Sequence, residues 1–179
     1  MPLPALESSA LESPALESAA DSKTPVYRFT LASPVGPLTL FEQAECITGL
    51  IWSAGKSIRN AEPTKLLAIA ASQLNAYFEE RHFDFDLPLA PAGTDFERRV
   101  WQGLKTIPAG TTLTYGGLAE RLQTGPRAVG RACGANPIPI LIPCHRVLGA
   151  GGSLHGYSGG GGIMTKAALL RLEGIIASV

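Results

Sequence analysis

Two prolines one residue apart, in Asn136-Pro137-Ile138-Pro139, divide this chain more sharply than any other feature of its sequence. Proline lacks a backbone N–H and clashes with the preceding helical turn, so no helix runs through this segment. Upstream, Pro126–Gly134 reads as a helix opening on Pro126, where the first turn needs no donor. A turn at Gln123–Gly125 and a short helix over Tyr115–Leu122 precede it. Helix, short glycine-containing turn, helix is the helix-turn-helix pattern. Downstream, the apolar Ile140-Leu141-Ile142 runs into Pro143-Cys144-His145-Arg146-Val147, and the glycine-rich Gly149–Gly162 reads as a mobile loop. Thr165–Gly174 closes the fold as a helix, with Leu169, Leu170 and Leu172 packing and Gly174 as its stop.

The other end of the chain is of a different kind. Ala-Leu-Glu-Ser occurs three times within residues 1–22, with a period of five that suits neither helix nor strand, so residues 1–23 read as a disordered tail. Alternation then predicts strands over Val26–Leu31, Pro37–Glu42 and Cys46–Ser53. Leu67, Ala70, Leu74 and Phe78 recur at helical spacing in Pro63–Arg81. Thr94 or Asp95 caps a helix from Phe96 to about Leu104, with Phe96, Val100, Trp101 and Leu104 on its buried face. The fold class expected is mixed α/β. A small N-terminal α/β domain with a short β-sheet spans residues 24–89. A linker at 90–93 leads to a mainly helical C-terminal domain at 94–176, containing a (winged) helix-turn-helix.

No apolar stretch is long enough to span a bilayer, and the N-terminus has neither a basic leader nor a continuous apolar run. Three cysteines fit a reducing compartment better than a disulfide scaffold, which predicts a cytoplasmic protein. The formal net charge of zero conceals a segregation. Residues 94–146 carry seven basic residues, among them Arg98, Arg99, Arg127, Arg131 and Arg146, against three acidic ones. Such a segment can supply phosphate contacts, although a solvated basic face is the commoner explanation.

A Cys beside a His is by itself more often packing than catalysis. Adjacent side chains on a strand point to opposite faces, so Cys144 and His145 communicate best through a bridging water. His145 would accept the thiol proton through it, and a carboxylate would support the imidazolium. Glu173 is a candidate for that carboxylate, because a negative charge near a helix C-terminus is unfavourable and asks for another reason.

Taken in order, Arg127-Ala-Val-Gly130, Asn136-Pro137, Ile142-Pro-Cys-His-Arg-Val147, Gly156-Tyr-Ser-Gly-Gly160 and Leu169-Leu-Arg-Leu-Glu-Gly174 resemble the motifs of the O6-alkylguanine-DNA alkyltransferase family. Phe96 through Ala119 resembles its Phe-x-x-x-Val-Trp to Thr-Tyr-Gly-x-Leu-Ala stretch, and the likeness covers residues 24–176. It implies a single-turnover transfer of an alkyl group from O6-alkylguanine in double-stranded DNA, with O4-alkylthymine a further candidate, to Cys144. His145 is then the water-mediated base and Glu173 its orienter. Tyr115 donates to a ring nitrogen of the flipped guanine, and Arg127 enters the stack where the base left. Asn136 ties the recognition helix to the active-site segment. Ser158 places a donor near O6, Val147 a backbone carbonyl near the exocyclic amine, and Tyr157 and Gly159 complete the substrate loop. The second helix would lie in the minor groove, about 6 Å wide, with Ala128, Gly130, Ala132 and Gly134 keeping it thin. The implied protein uses no cofactor and acts as a monomer that can cluster on DNA.

Two features depart from the family pattern. The run Gly159–Gly162 is longer than its usual Gly-Gly, and the N-terminal domain offers only Cys46 and His82 as soft ligands, so no structural zinc is expected. Three other readings compete. An alkyltransferase-like sensor of alkylated DNA would replace the cysteine, a Cys–His hydrolase is disfavoured by the adjacent spacing, and a dual repair protein and activator would need a further cysteine-rich domain.

Overall fold

A computed structural model of the chain describes residues 24–53, 62–80, 83–154 and 156–175. The tail, Arg81 and His82 lie outside them. The fold is mixed α/β, with a small N-terminal sheet and a helical C-terminal part.

Strands β1 (Tyr27–Leu31), β2 (Leu38–Gln43) and β3 (Cys46–Trp52) form an antiparallel sheet in the order β1-β2-β3. The β2–β3 hairpin pairs Gln43 with Cys46, so its two-residue loop needs left-handed backbone at both positions. Ala44 and Glu45 supply it at φ 49° and 58°. Leu38, Leu40, Ile47 and Leu50 are fully buried beneath helix α1 (Lys65–Glu79). Thr39 is buried too, its hydroxyl bonded to Thr30 at 2.7 Å and to Ser53. Tyr27 is exposed at the strand's start. On α1 the innermost stripe is Leu67, Ala70, Leu74 and Tyr77, with Phe78 at its margin. That difference puts a phenol, rather than a phenyl, in the core.

In the C-terminal part, Thr94 caps α2 (Asp95–Lys105) in a reciprocal capping box with Glu97. Trp101 on α2 donates its indole N–H to Ala132 O at 2.8 Å, which locks α2 to α4. Helices α3 (Tyr115–Arg121) and α4 (Pro126–Gly134) form the helix-turn-helix. Gly125 is the N-cap of α4, and the left-handed residue of the turn is Gln123 at φ 52°. Two short parallel strands, β4 (Leu113–Thr114) and β5 (Val147–Leu148), join the start of α3 to the segment after Cys144. Two-residue strands are too short to carry a periodicity by which they could be expected. Helix α5 (Ile163–Leu172) packs Ala167, Leu169 and Leu170 inward. Glu173 caps it, and Gly174 turns the chain at φ +80°.

The two parts are stitched together by backbone. Leu50 N on β3 donates to Pro137 O at 2.9 Å, so the edge of the N-terminal sheet holds the proline segment in place.

Candidate active site

The double-proline segment sets the site. Ile140 is buried and held at φ +73°, a region that a β-branched residue enters only under constraint, at a cost of about 1–3 kcal/mol. Asn136 supplies the constraint from both ends. Its Oδ1 accepts from Ile138 N at 3.0 Å and its Nδ2 donates to Ile142 O at 2.8 Å. The residue that caps α4 is Ala135, through its backbone, so Asn136 is free to span this turn. Asn136 also bears on the Cys144 thiol, favouring its ionised form.

Cys144–Arg146 then forms one 3-10 turn, not a strand. The turn buries Cys144, His145 and Arg146 together, at 6%, 0% and 5% exposure. His145 Nε2 lies 2.9 Å from Glu173 Oε1. The same oxygen accepts from Tyr77 Oη at 2.9 Å and Arg146 Nη2 at 2.9 Å, while Oε2 accepts from Arg146 Nε at 3.0 Å and Gly110 N at 3.3 Å. Arg146 Nη1 donates to Ile107 O at 2.6 Å. Arg146 is therefore consumed inside the protein, and the expectation that it helps contact phosphate is corrected: its charge is neutralised by Glu173.

Burial pushes the Glu173 carboxyl up, but the hydrogen bonds and charges of His145 and Arg146 outweigh it and hold the group at about 2. An ionised Glu173 can only accept, so Nε2 of His145 carries the proton and Nδ1 is the lone-pair nitrogen. Nδ1 is buried without a protein partner among the described residues. Burial lowers the affinity of His145 for a second proton, against the pull of Glu173. Burial likewise raises the Cys144 thiol, opposed by the Asn136 side chain, the Lys166 charge and its own backbone N–H.

Lys166 escaped the sequence reading. Its side chain is fully buried, donates from Nζ to Val147 O at 2.6 Å and lies over the Tyr115 ring at 5.7 Å. It thus already engages the Val147 carbonyl expected to face substrate, although a carbonyl has a second lone pair. Tyr115 is half-buried, and burial, then the two nearby thiols, pushes its hydroxyl up to about 12. It is therefore a donor at neutral pH.

Tyr115, Cys144, Asn136, Tyr157, Ser158 and Gly159 line one cavity of about 600 Å³. Arg127 stands apart, exposed on the first turn of α4. Around it, Ala128 and Gly130 are half-buried and Gly134 faces open space. Ala132 does not belong to that thin face, because it is buried against α2. Trp52, Tyr77, Arg146 and Lys166 are the site residues that sequence reasoning missed. Only Tyr77 carried a signal, its spacing of three from Leu74.

This geometry has relatives. The family model described as 6-O-methylguanine DNA methyltransferase, ribonuclease-like domain, matches residues 26–91, and that for the DNA binding domain of the same family matches residues 95–175. The methylated-DNA--protein-cysteine methyltransferase of Mycobacterium tuberculosis (strain H37Rv) is 45% identical over 151 residues, covering 80% of this chain and 90% of that one. Its namesake in Methanosarcina acetivorans is 41% identical over 156 residues, covering 83% and 99%. A crystal structure of Mycobacterium tuberculosis OGT in complex with DNA superposes with a TM-score of 0.72 at 45% identity, covering 82% of this chain and 92% of that one. Two family models covering both parts of the chain, and relatives above 40% identity over four-fifths of it, place this chain in the 6-O-methylguanine DNA methyltransferase family.

Proposed function

We propose that the protein repairs DNA by moving an alkyl group from O6 of guanine to the thiol of Cys144, once per molecule. The observation that carries this is the joint burial of Cys144, His145 and Glu173, with His145 Nε2 2.9 Å from Glu173 Oε1 and Nδ1 without a protein partner among the described residues. A water between Nδ1 and Sγ relays the thiol proton to His145, and Glu173 stabilises the imidazolium. The sulfur forms a bond to the alkyl carbon as the carbon–O6 bond breaks, its electrons remaining on the guanine. Tyr115, a neutral donor, hydrogen-bonds a ring nitrogen and so stabilises the leaving base, which regains a proton. Atoms and electrons balance between thiol and guanine alone. Ser158 supplies a donor near O6, Val147 the acceptor for the amine, and Tyr157 and Gly159 the loop around the base.

An alkyl carbon inside the base stack cannot be reached in line by a thiolate, so the nucleotide is extruded. We place α4 in the minor groove, with Gly130 and Ala128 allowing close approach and Arg127 filling the vacated stack. The chain divides into an N-terminal domain at 24–89 and a DNA-binding, catalytic domain at 94–176, acts as a monomer that can cluster on DNA, and works in the cytoplasm. A DNA sensor lacking chemistry has no use for a cysteine thiol buried at the wall of this cavity beside the His145–Glu173 pair.

Incubation with duplex containing O6-methylguanine should add one methyl mass per protein, mapped to Cys144. Methyl release should stop at one equivalent, because the thioether has no route to hydrolysis. Cys144→Ser should bind DNA and transfer nothing. Continued release beyond one equivalent, or transfer by Cys144→Ser, overturns the assignment.

A further inference from the structure

The cavity that holds Cys144 is not built by the C-terminal part alone. The N-terminal sheet contributes Trp52, the last residue of β3, beside Leu50 and Ser53. Trp52 is the one aromatic that the sheet brings to it among the described residues. We propose that Trp52 is a specificity-determining residue of the transfer reaction: its indole is the wall of the alkyl pocket on the N-terminal side, and it slows the transfer of bulky alkyl groups relative to methyl.

The indole is fixed in place. Its Nε1–H donates to Val35 O at 3.0 Å, and it meets the Tyr157 ring edge-on, with centroids 6.3 Å apart at 84°. The substrate loop lies directly against it. A Cβ on Gly159 would come within 2.7 Å of Trp52 Cζ3, and one on Gly160 within 2.8 Å of Nε1. Only glycine permits that approach, and Gly160 also sits at φ +55°. On its other flank the loop is anchored by Gly161 N donating to Thr165 Oγ1 at 2.8 Å. The long glycine run is thus confined between Thr165 and the indole.

This confinement acts differently on small and large substrates. A methyl group on O6 needs no space that the indole occupies. A benzyl group adds a whole ring beside the reacting carbon, and the loop cannot yield toward the N-terminal sheet while Trp52 stands there. Pocket discrimination by a single methylene is about 10–200-fold, so removal of an indole is large on this scale. Trp52→Ala should therefore raise the benzyl-to-methyl rate ratio by about tenfold or more. Trp52→Phe, which keeps an aromatic contact and loses the bulk of the second ring, should lie between.

The inference rests on the transfer reading, and its test separates the two. Single-turnover rates would be measured for wild type, Trp52→Phe and Trp52→Ala on duplexes carrying O6-methylguanine or O6-benzylguanine. In parallel, Cys144 would be alkylated by methyl iodide and by benzyl bromide, with modification at Cys144 read by peptide mass; the sulfur–carbon bond forms as halide leaves. A ratio that rises from tryptophan to phenylalanine to alanine supports the wall. Rates for both groups that fall together, with the ratio unchanged, show a clamp without selectivity and overturn it. If wild type transfers nothing from either guanine, the transfer reading fails and the halide ratio decides on Trp52.

Discussion

His145 and Cys144 are an unequal pair at neutral pH. Burial favours the protonated thiol and the neutral imidazole, so in the proposed mechanism the thiolate–imidazolium pair is the minor state, favoured by Glu173 beside the imidazole and by the Lys166 charge near the thiol. Removing the base leaves a thiol that ionises only at alkaline pH. His145→Ala should slow transfer roughly 100-fold near pH 7.5, a typical general-base contribution. The deficit should shrink as pH rises past the ordinary thiol range, because hydroxide then does the work of the imidazole. Single-turnover rates between pH 7 and 10 check this. A deficit that stays constant across that range would mean that His145 serves structure and not proton transfer.

At the scale of elements, α4 has two faces with separate duties. Val129, Ala132 and Cys133 are buried against α2 and α3, while Arg127 and Arg131 face solvent. If Arg127 fills the vacated stack, Arg127→Ala should slow transfer from saturating duplex by about tenfold, because extrusion costs a few kcal/mol and part of the offset is lost. Transfer from free O6-benzylguanine, which has no such cost, should be unchanged. A phosphate contact alone would instead be restored by saturating DNA or low salt, so wild-type rates at saturation would remove the extrusion role. The helices behind these statements were legible because each buries a periodic stripe and is punctuated by Thr94, Pro126 or Gly174. Cys144 and its motif were legible as well. What was not legible depends on contacts distant in sequence. The 3-10 turn at Cys144 is set by Asn136 and a strained Ile140, Arg146 was read as a surface charge because its partner lies 27 residues away, and nothing in α5 announces that Lys166 points inward.

Across the whole molecule, acid is the weak point. Glu173 is held at about 2 against an ordinary 4.5, so its contribution is complete above pH 4.5 and is lost as pH falls toward 2. The shift corresponds to roughly 3 kcal/mol. His145 is lowered from 6.5, so below that pH the unfolded state binds the proton more readily and stability also declines. Melting temperature should therefore hold from pH 8 to about 6.5, decline gently below it, and fall steeply below 4.5. Thermal melts from pH 8 to 3 test the profile. In Glu173→Gln the steep acid limb should flatten while the neutral-pH melting temperature drops. An unaltered limb would place the acid lability elsewhere.

One carboxylate thus joins α1, the loop after α2, the turn at Cys144 and the end of α5, and the same carboxylate holds Nε2 of His145, the proposed base. Breaking a buried ion pair costs about 3–5 kcal/mol, a large share of the 5–15 kcal/mol by which domains are stable. Chemistry and integrity therefore fail together at this position. A repair protein that kept its grip on a lesion after losing its reactivity would shield the damage from every other remedy. With Glu173 in both roles, a substitution there weakens the fold along with the chemistry, so a molecule without reactivity is also less able to stay on the lesion.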